Sequence, residues 1–481
     1  MYALIVTRPA LLFLTLTACP GPAPGEASTD FDATSLAAST STDQSSGTSP
    51  SSETTASPTT GECHPITDAS TTSTTSTSTT STSTMTTGSA GLELQTALIT
   101  ADNRHHVEMH GGWGPHLRGL MRADDDALWF TVDAGEDVLH NREVVYMRRG
   151  QGEPAWSEVA RAEHTPGVQQ NAASILLGGV VYTYAVDIVA RWLTECTLQV
   201  ADPRQHACEA VQISGQTYMT PASSNYVGAA VLGPSARIVW WTVVGEDGAP
   251  GAMLYTYNFG GGWNGPVVSG LGAANDIGYV HAMRTPAGGL SLAGQAFTGK
   301  YPDGTYSALV ADLVPGEPLA FTALASGDPQ VTAQSAADLW HDPDSGAVHV
   351  LVDRSDGSLA YYHRPPAAAW AAHVEPLHVF SDTYRARFLR PVGEPLHVLR
   401  GSYSGDGVVL LRAGTVDGAA AIDWTDVEQI VVPMPAPGLG APSGLYVESD
   451  TYQLAPVPVI NFAMCGQYQI SDGQIWHGWL G

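Results

Sequence analysis

Four histidines, a glutamate, a tryptophan and two arginines fall within RHHVEMHGGWGPHLR, Arg104 to Arg118, in a chain with 16 histidines in all. If His106 to His110 is extended, its side chains alternate, so His106, Glu108 and His110 share one face. Two imidazoles and a carboxylate can hold zinc with an open coordination position. This is not the helical zinc-protease pattern, because Glu108 lies midway between the histidines and glycines follow at once. Without a further constraint, solvated histidines on the rim of a scaffold are the simpler reading than a metal site or a proton-transfer pair. No metal and no cofactor is expected.

The second half of the stretch, GGWGPHLR, offers different chemistry. A tryptophan in a glycine-rich loop presents a rigid ring at low entropic cost, and an arginine meets a carboxylate with a planar fork. Trp113, His116 and Arg118 are therefore the first candidates for ligand contact, although for Trp113 covering the end of the hydrophobic core is the simpler reading. Arg284, Asp338 and Arg385 (with Arg387 beside it) are the second set, falling near the starts of units described below. His281 stands in a comparable position. The acidic pieces RADDDA (Arg122 to Ala127) and HDPDSG (His341 to Gly346) lack the spacing of a calcium loop and are expected to be turns. There is no nucleophile elbow, phosphate-binding loop or zinc-protease motif, so no catalytic residue is assigned.

These residues need a scaffold, and its outline begins at residue 91. From there the chain is built of short runs, four to eight residues long, rich in β-branched and aromatic residues and punctuated by Gly, Pro and Asp, which is the signature of strands. The most apolar run recurs as ALWFTVDA, VVYTYAVD, RIVWWTVV, LSLAGQAF, AVHVLVDR, LHVLRGSY and VPVINFAM. Their first residues, Ala127, Val180, Arg237, Leu290, Ala347, Leu396 and Val457, are separated by 53, 57, 53, 57, 49 and 61 residues. Most units show a shorter strand before this run and two after it.

Four antiparallel strands per unit and seven units describe an all-β, seven-bladed β-propeller over residues 91–481. Six blades are the alternative if the irregular last unit is not a full blade, and a solenoid fits the long, uneven period poorly. The last unit shows SGLYV, VPVINFAM and GQIWHGW and is one strand short, while LELQTALI (Leu92 to Ile99) is a strand without a unit. The N-terminal strand is therefore expected to complete the final blade. Three units share a further detail, an aromatic strand followed by tryptophan: Tyr146 with Trp156, Tyr255 with Trp263, and Tyr361 or Tyr362 with Trp370.

The first ninety residues belong to another class. Arg8 precedes an apolar run from Ala10 to Ala18, shorter than the ~20 residues that cross a bilayer but suited to a signal peptide at 1–18. LTAC, Leu16 to Cys19, resembles the bacterial lipobox, which implies cleavage before Cys19 and lipidation of it. Several acyl chains then anchor the protein stably, at the outer membrane or cell surface. An ordinary secretory leader is the alternative. Residues 19–90 are dominated by Ser, Thr, Pro, Gly and Asp, too apolar-poor to offset the entropy of ordering them. They read as a disordered tether with a typical span of about 45 to 50 Å, or as a glycosylated stalk.

Charge and cysteines bound the partners. The net charge is −27, with one lysine, Lys300, beside 19 arginines. Nucleic acid binding and attraction to anionic lipid need clustered positive charge, and neither is expected. Apart from Cys19 there are four cysteines, which export allows to pair. Cys196 and Cys208 flank the turn signal Asp202-Pro203, so a hairpin brings them opposite each other. Cys63 with Cys465 follows by elimination.

The pieces VVYMRRGQGEPAWSEV, LYTYNFGGGWNGPV and LAYYHRPPAAAWAAHV resemble the repeats of secreted bacterial sialidase-like propellers, the BNR-repeat-like superfamily. The resemblance spans roughly residues 105–480 as a pattern of apolar and aromatic positions. The family's Asp-box, Ser-x-Asp-x-Gly-x-x-Trp, is absent, SDGSLAYY from Ser355 being the nearest piece. The resemblance implies the propeller fold, and in sialidases three arginines, a tyrosine paired with a glutamate, and an acid/base aspartate. No Tyr–Glu pair stands out in this sequence. The expectation is thus a monomeric, envelope-anchored binding or structural propeller contacting a glycan or protein at one channel mouth, with a glycan-active enzyme, a sialidase-like hydrolase or a lyase, as the alternative.

Overall fold

A computed structural model describes residues 94–100 and, between 120 and 480, all but 136–140, 164–168, 188–189, 222–223, 246–248, 300–303, 325–330, 332–336, 355, 373, 382–383, 390–395, 402–407, 413–419, 423, 425–427, 433–444, 448–459 and 466–474. Residues 1–90, where a signal peptide, a lipidated Cys19 and a tether with Cys63 are expected, lie outside the described residues, as do Trp113, His116 and Arg118. Among the described residues no helix is long and apolar enough to cross a membrane.

Among the described residues the strands pair into six sheets that divide into seven four-stranded antiparallel blades, one per unit, with blades 1 and 2 in one sheet. Blade 1 runs Met121–Arg122, Leu128–Gly135, Asn141–Arg149 and Ser157–Glu163. Blade 2 runs Gln169–Leu177, Val180–Asp187, Trp192–Gln199 and His206–Ala210, and a single pair, Asn141 with Gln169, joins it to blade 1. Blade 3 runs Ser224–Gly233, Ala236–Val243, Ala252–Asn258 and Trp263–Gly270. Blade 4 runs Asp276–Arg284, Leu290–Thr298, Thr305–Leu313 and Thr322–Ala323. Blade 5 runs Ala337–His341, Val348–Asp353, Leu359–Arg364 and His378–Phe380. Blade 6 runs Tyr384–Leu389, His397–Gly401, Val408–Arg412 and Glu428–Val432.

Blade 7 takes three strands from the C-terminal region, Leu445–Val447, Ile460–Cys465 and Ile475–Leu480, and its fourth from Leu94–Thr100. Leu94 pairs with Leu480 and Thr100 with Ile475, antiparallel. The strand at the beginning of the domain completes the last blade, as its isolation in the sequence implied.

The seven apolar runs are the second strands, and their burial explains why they recur. In blade 5 every residue from Val348 to Asp353 is buried, because a blade's sheet is covered on both faces by its neighbours and alternation disappears. Clusters of buried side chains sit between blades as well as within them. One joins blades 1 and 2 through Trp129, Tyr146 and Val181. Others join 2 and 3, then 3 and 4, then 4 through 6. A further cluster packs Ala97, Ile99 and Trp479 of blade 7 against Phe130, Met147 and Trp156 of blade 1. First strands of successive blades lie side by side, from blade 1 round to blade 7. Two short strands, Gln212–Ile213 and Gln216–Thr217, extend blade 3 outward, Ile213 pairing in parallel with Trp263.

The disulfide between Cys196 and Cys208 is a cross-strand pair joining the third and fourth strands of blade 2. The acidic pieces are turns. Asp125 Oδ1 accepts from the Ala127 N–H at 3.1 Å, and Asp342 Oδ1 accepts from Asp344 and Ser345 N–H at 2.9 and 3.0 Å.

Candidate functional site

First strands all run from the same end of the ring, so one face holds their starts together with the turns between second and third strands. Thr100 ends the outermost strand of blade 7 on that face, and Leu120 leads into the innermost strand of blade 1. Trp113, His116 and Arg118 immediately precede Leu120 in the chain. The second set of candidates divides. Asp338 and Arg385 are second residues of their strands, on the strand-start side of blades 5 and 6. Arg284 is the last residue of its strand in blade 4, which puts it about 10 Å from the level of Asp338 at ~3.3 Å per residue.

Three first strands place a polar residue at one level. His281 pairs with Ala293, Asp338 with Leu351 and Arg387 with Leu399, equivalent positions in blades 4, 5 and 6. The structure brings two of these together, His281 Nδ1 lying against Asp338 Oδ1. Asp338 Oδ2 accepts from the Phe388 N–H at 2.6 Å, so one carboxylate links three blades. All three side chains are buried. A carboxylate held from both sides and shut from water is a cross-tie of the inner ring, not an exposed ligand contact.

The repeated Tyr and Trp have a structural meaning that spacing alone could not disclose. The third-strand tyrosines of blades 1, 3 and 5 grip the following blade. Tyr146 OH reaches Thr183 Oγ1 at 3.5 Å. Tyr255 OH donates to the Glu317 carbonyl at 2.6 Å and accepts from Gly316 N–H at 3.0 Å. Tyr361 OH accepts from Ile422 N–H at 3.0 Å and meets His349 Nδ1 at 2.8 Å. Two of the tryptophans of the same blades face backward, Trp156 meeting His477 of blade 7 and Trp263 meeting Tyr184 of blade 2, while Trp370 lies beside Arg364 of its own blade.

At the 7/1 junction, Arg149 stands 4.0 Å from the Trp479 ring centroid and donates to His477 Nδ1 at 3.0 Å. Trp156 meets His477 edge-on. Burial and then the charges of Arg149 and Arg122 push His477 down to about 3, so the imidazole is neutral and accepts. At the 4/5 junction, Arg364 pairs with Asp312 and lies 5.0 Å from Trp370.

The 2/3 junction is the most elaborate. Arg237 Nη2 donates to Glu195 Oε1 and Oε2 at 3.2 and 3.0 Å, and its Nε to Tyr184 OH at 2.7 Å. Tyr184 OH donates to Glu195 Oε2 at 2.7 Å. The guanidinium lies 4.2 Å from the Tyr182 ring and 5.0 Å from Trp263. Burial, then Glu195, hold the Tyr184 hydroxyl well above the usual phenol range. Burial opposes the charge on Arg237, but Tyr184, Glu195 and Tyr182 outweigh it and hold the proton on. Here is a Tyr–Glu pair with an arginine, made from cross-strand neighbours in blade 2 and a residue of blade 3. It sits between blades on second and third strands, and a fully buried tyrosine with a raised pKa is a poor nucleophile.

Among the described residues no group of three or more His, Cys, Asp or Glu side chains is placed to hold a metal ion. No family model matches the chain, and no curated protein matches it. In structure the chain is similar to a protein of unknown function from Dyadobacter fermentans, at 10% identity over 80% of this chain and 98% of that one, with a TM-score of 0.47. It is similar to a lectin from Burkholderia pseudomallei, at 13% identity over 75% of this chain and 95% of the other, TM-score 0.46. A polysaccharide lyase gives 10% identity, 76% and 90% coverage, and 0.45. The propeller assignment rests on the strand pairing itself.

Proposed function

We propose that the chain is a lipid-anchored binding propeller of the bacterial envelope that contacts a glycan or protein ligand at the channel mouth where the first strands begin. One observation supports it above the others. The described ends of the 101–119 segment are Thr100, on the outermost strand of blade 7, and Leu120, at the head of the innermost strand of blade 1. The residues between them include Trp113, His116 and Arg118, a rigid ring and two hydrogen-bonding cations or donors. Arg385, at the head of the first strand of blade 6, is the second-set residue that fits this mouth. Asp338 is engaged within the ring, and Arg284 ends its strand. LTAC and the Ser/Thr-rich 19–90 stretch support anchoring at Cys19 on a tether.

The test is an array of bacterial and host glycans and envelope proteins probed with the full chain. A ligand that binds, is recovered unchanged, and is lost on Trp113→Ala or Arg118→Ala is expected. Turnover of that ligand, or retention in both variants, overturns the reading. Labelling with a lipid precursor, against Cys19→Ser, separately decides the anchor.

A further inference from the structure

The junction between blades 2 and 3 is more elaborate than a joint requires. A partly exposed ion pair contributes little to stability on its own, yet here two aromatic rings and a buried hydroxyl hold one in a single geometry. The Arg237 and Glu195 side chains keep 12% and 18% of their exposure, and Tyr182 and Trp263 are partly exposed as well. We propose that this junction is a second binding site, independent of the channel mouth, for a neutral saccharide with two adjacent hydroxyl groups.

Nε and Nη2 of Arg237 are committed to Tyr184 and Glu195, while Nη1 has no partner among the described residues and remains a donor. Glu195 Oε1 accepts one bond and keeps lone-pair capacity. A free donor beside a free acceptor matches a pair of sugar hydroxyls, each of which both donates and accepts. Trp263 and Tyr182 flank the guanidinium and supply an apolar wall for the C–H face of a pyranose ring.

The charge balance selects against acidic sugars. Glu195 already neutralises Arg237, so a uronate or sialate would bring a second anion against a carboxylate, on a chain whose net charge is −27.

The site is also preorganised, which lowers the cost of binding. Cys196, the neighbour of Glu195, is tied by its disulfide to the fourth strand. Gly262, immediately before Trp263, has φ +117, a conformation that favours glycine and sets how the fourth strand of blade 3 begins.

The 4/5 junction serves as an internal control. Asp312 is 44% exposed and is already engaged by Ser291 Oγ at 2.7 Å, and Arg364 has one aromatic ring beside it, Trp370.

The experiment titrates the full chain with methyl glycosides of neutral hexoses, and with glucuronic acid and N-acetylneuraminic acid, by calorimetry and tryptophan fluorescence. At least one neutral glycoside binds with a Kd of about 1 mM or tighter and perturbs the fluorescence. Trp263→Leu and Glu195→Gln each weaken it by about tenfold or more, while Arg364→Gln stays within about twofold. Should Glu195→Gln lose the cooperative thermal transition, Trp263→Leu and Tyr182→Leu decide by the same threshold. No neutral glycoside binding at about 50 mM, or a preference for the acidic sugars, overturns the proposal. So does loss of binding in Trp113→Ala with retention in Trp263→Leu, which would move the site to the mouth.

Discussion

The 2/3 and 4/5 junctions contain the same three kinds of residue, an arginine, an acid on the preceding blade and a tryptophan, in different amounts of water. Glu195 is 18% exposed and shares its oxygen with a buried tyrosine, whereas Asp312 is 44% exposed and bonds a serine. The difference comes from depth. Glu195 lies in the middle of its strand, opposite Tyr184, while Asp312 is one residue from its strand's end. An ion pair gains strength as water is removed but becomes costlier to break. Identical chemistry therefore serves as a rigid fixture in one place and a solvated clasp in the other.

Mutation should separate the two. Arg237→Ala leaves the Glu195 carboxylate and the Tyr184 hydroxyl without their cation in a mostly buried setting, and is expected to cost about 2–4 kcal/mol in denaturant unfolding. Arg364→Ala leaves a carboxylate that water reaches, with an expected loss of about 1 kcal/mol or less. Equal losses would show that depth is not what distinguishes the junctions.

The 7/1 junction extends the contrast to pH, because its acceptor is an imidazole. His477 is pushed from its ordinary 6.5 to about 3 in the folded chain, so the unfolded chain binds more protons between those values. Stability is fully present above pH 6.5 and falls as the pH drops toward 3, by about 1 kcal/mol per pH unit. His477→Gln should flatten that part of the profile, read by thermal melts from pH 7 to pH 4.5. A slope unchanged in the variant would assign the acid sensitivity elsewhere.

The forward-facing tyrosines give smaller effects of similar size. Tyr255→Phe removes a hydroxyl that donates to one loop group and accepts from another, and Tyr361→Phe one that accepts a backbone N–H and meets His349. Each should cost about 1–1.5 kcal/mol. A neutral Tyr361→Phe would mean that solvent replaces the lost partner at Ile422.

How much of this was legible in the sequence depended on whether the signal was local. The seven apolar runs stand out because second strands are buried on both faces, and the closing strand because Leu94–Thr100 has no partner nearby. Cys196 and Cys208 were readable from a short hairpin with its turn signal. The Tyr and Trp recurrence was visible, but its direction, forward for the tyrosines and backward for Trp156 and Trp263, exists only once blades are stacked. Glu195 and Arg237 lie 42 residues apart, in different blades, and neither has a local pattern to mark it. His281 and Asp338 were each noticed alone, and only the level shared by first strands makes them a pair.

Completion of blade 7 by Leu94–Thr100 also sets an order of events. This strand is synthesised before any blade, yet its partner, Ile475–Leu480, comes after all the others. Until then it is an unpaired edge, available to any passing strand. The ring consequently cannot be finished blade by blade; its last step is a long-range closure, slow in the manner of high contact order folding. A free peptide of sequence LQTALIT would compete for that place only during this waiting period, which makes its incorporation a clock for how long the ring stands open.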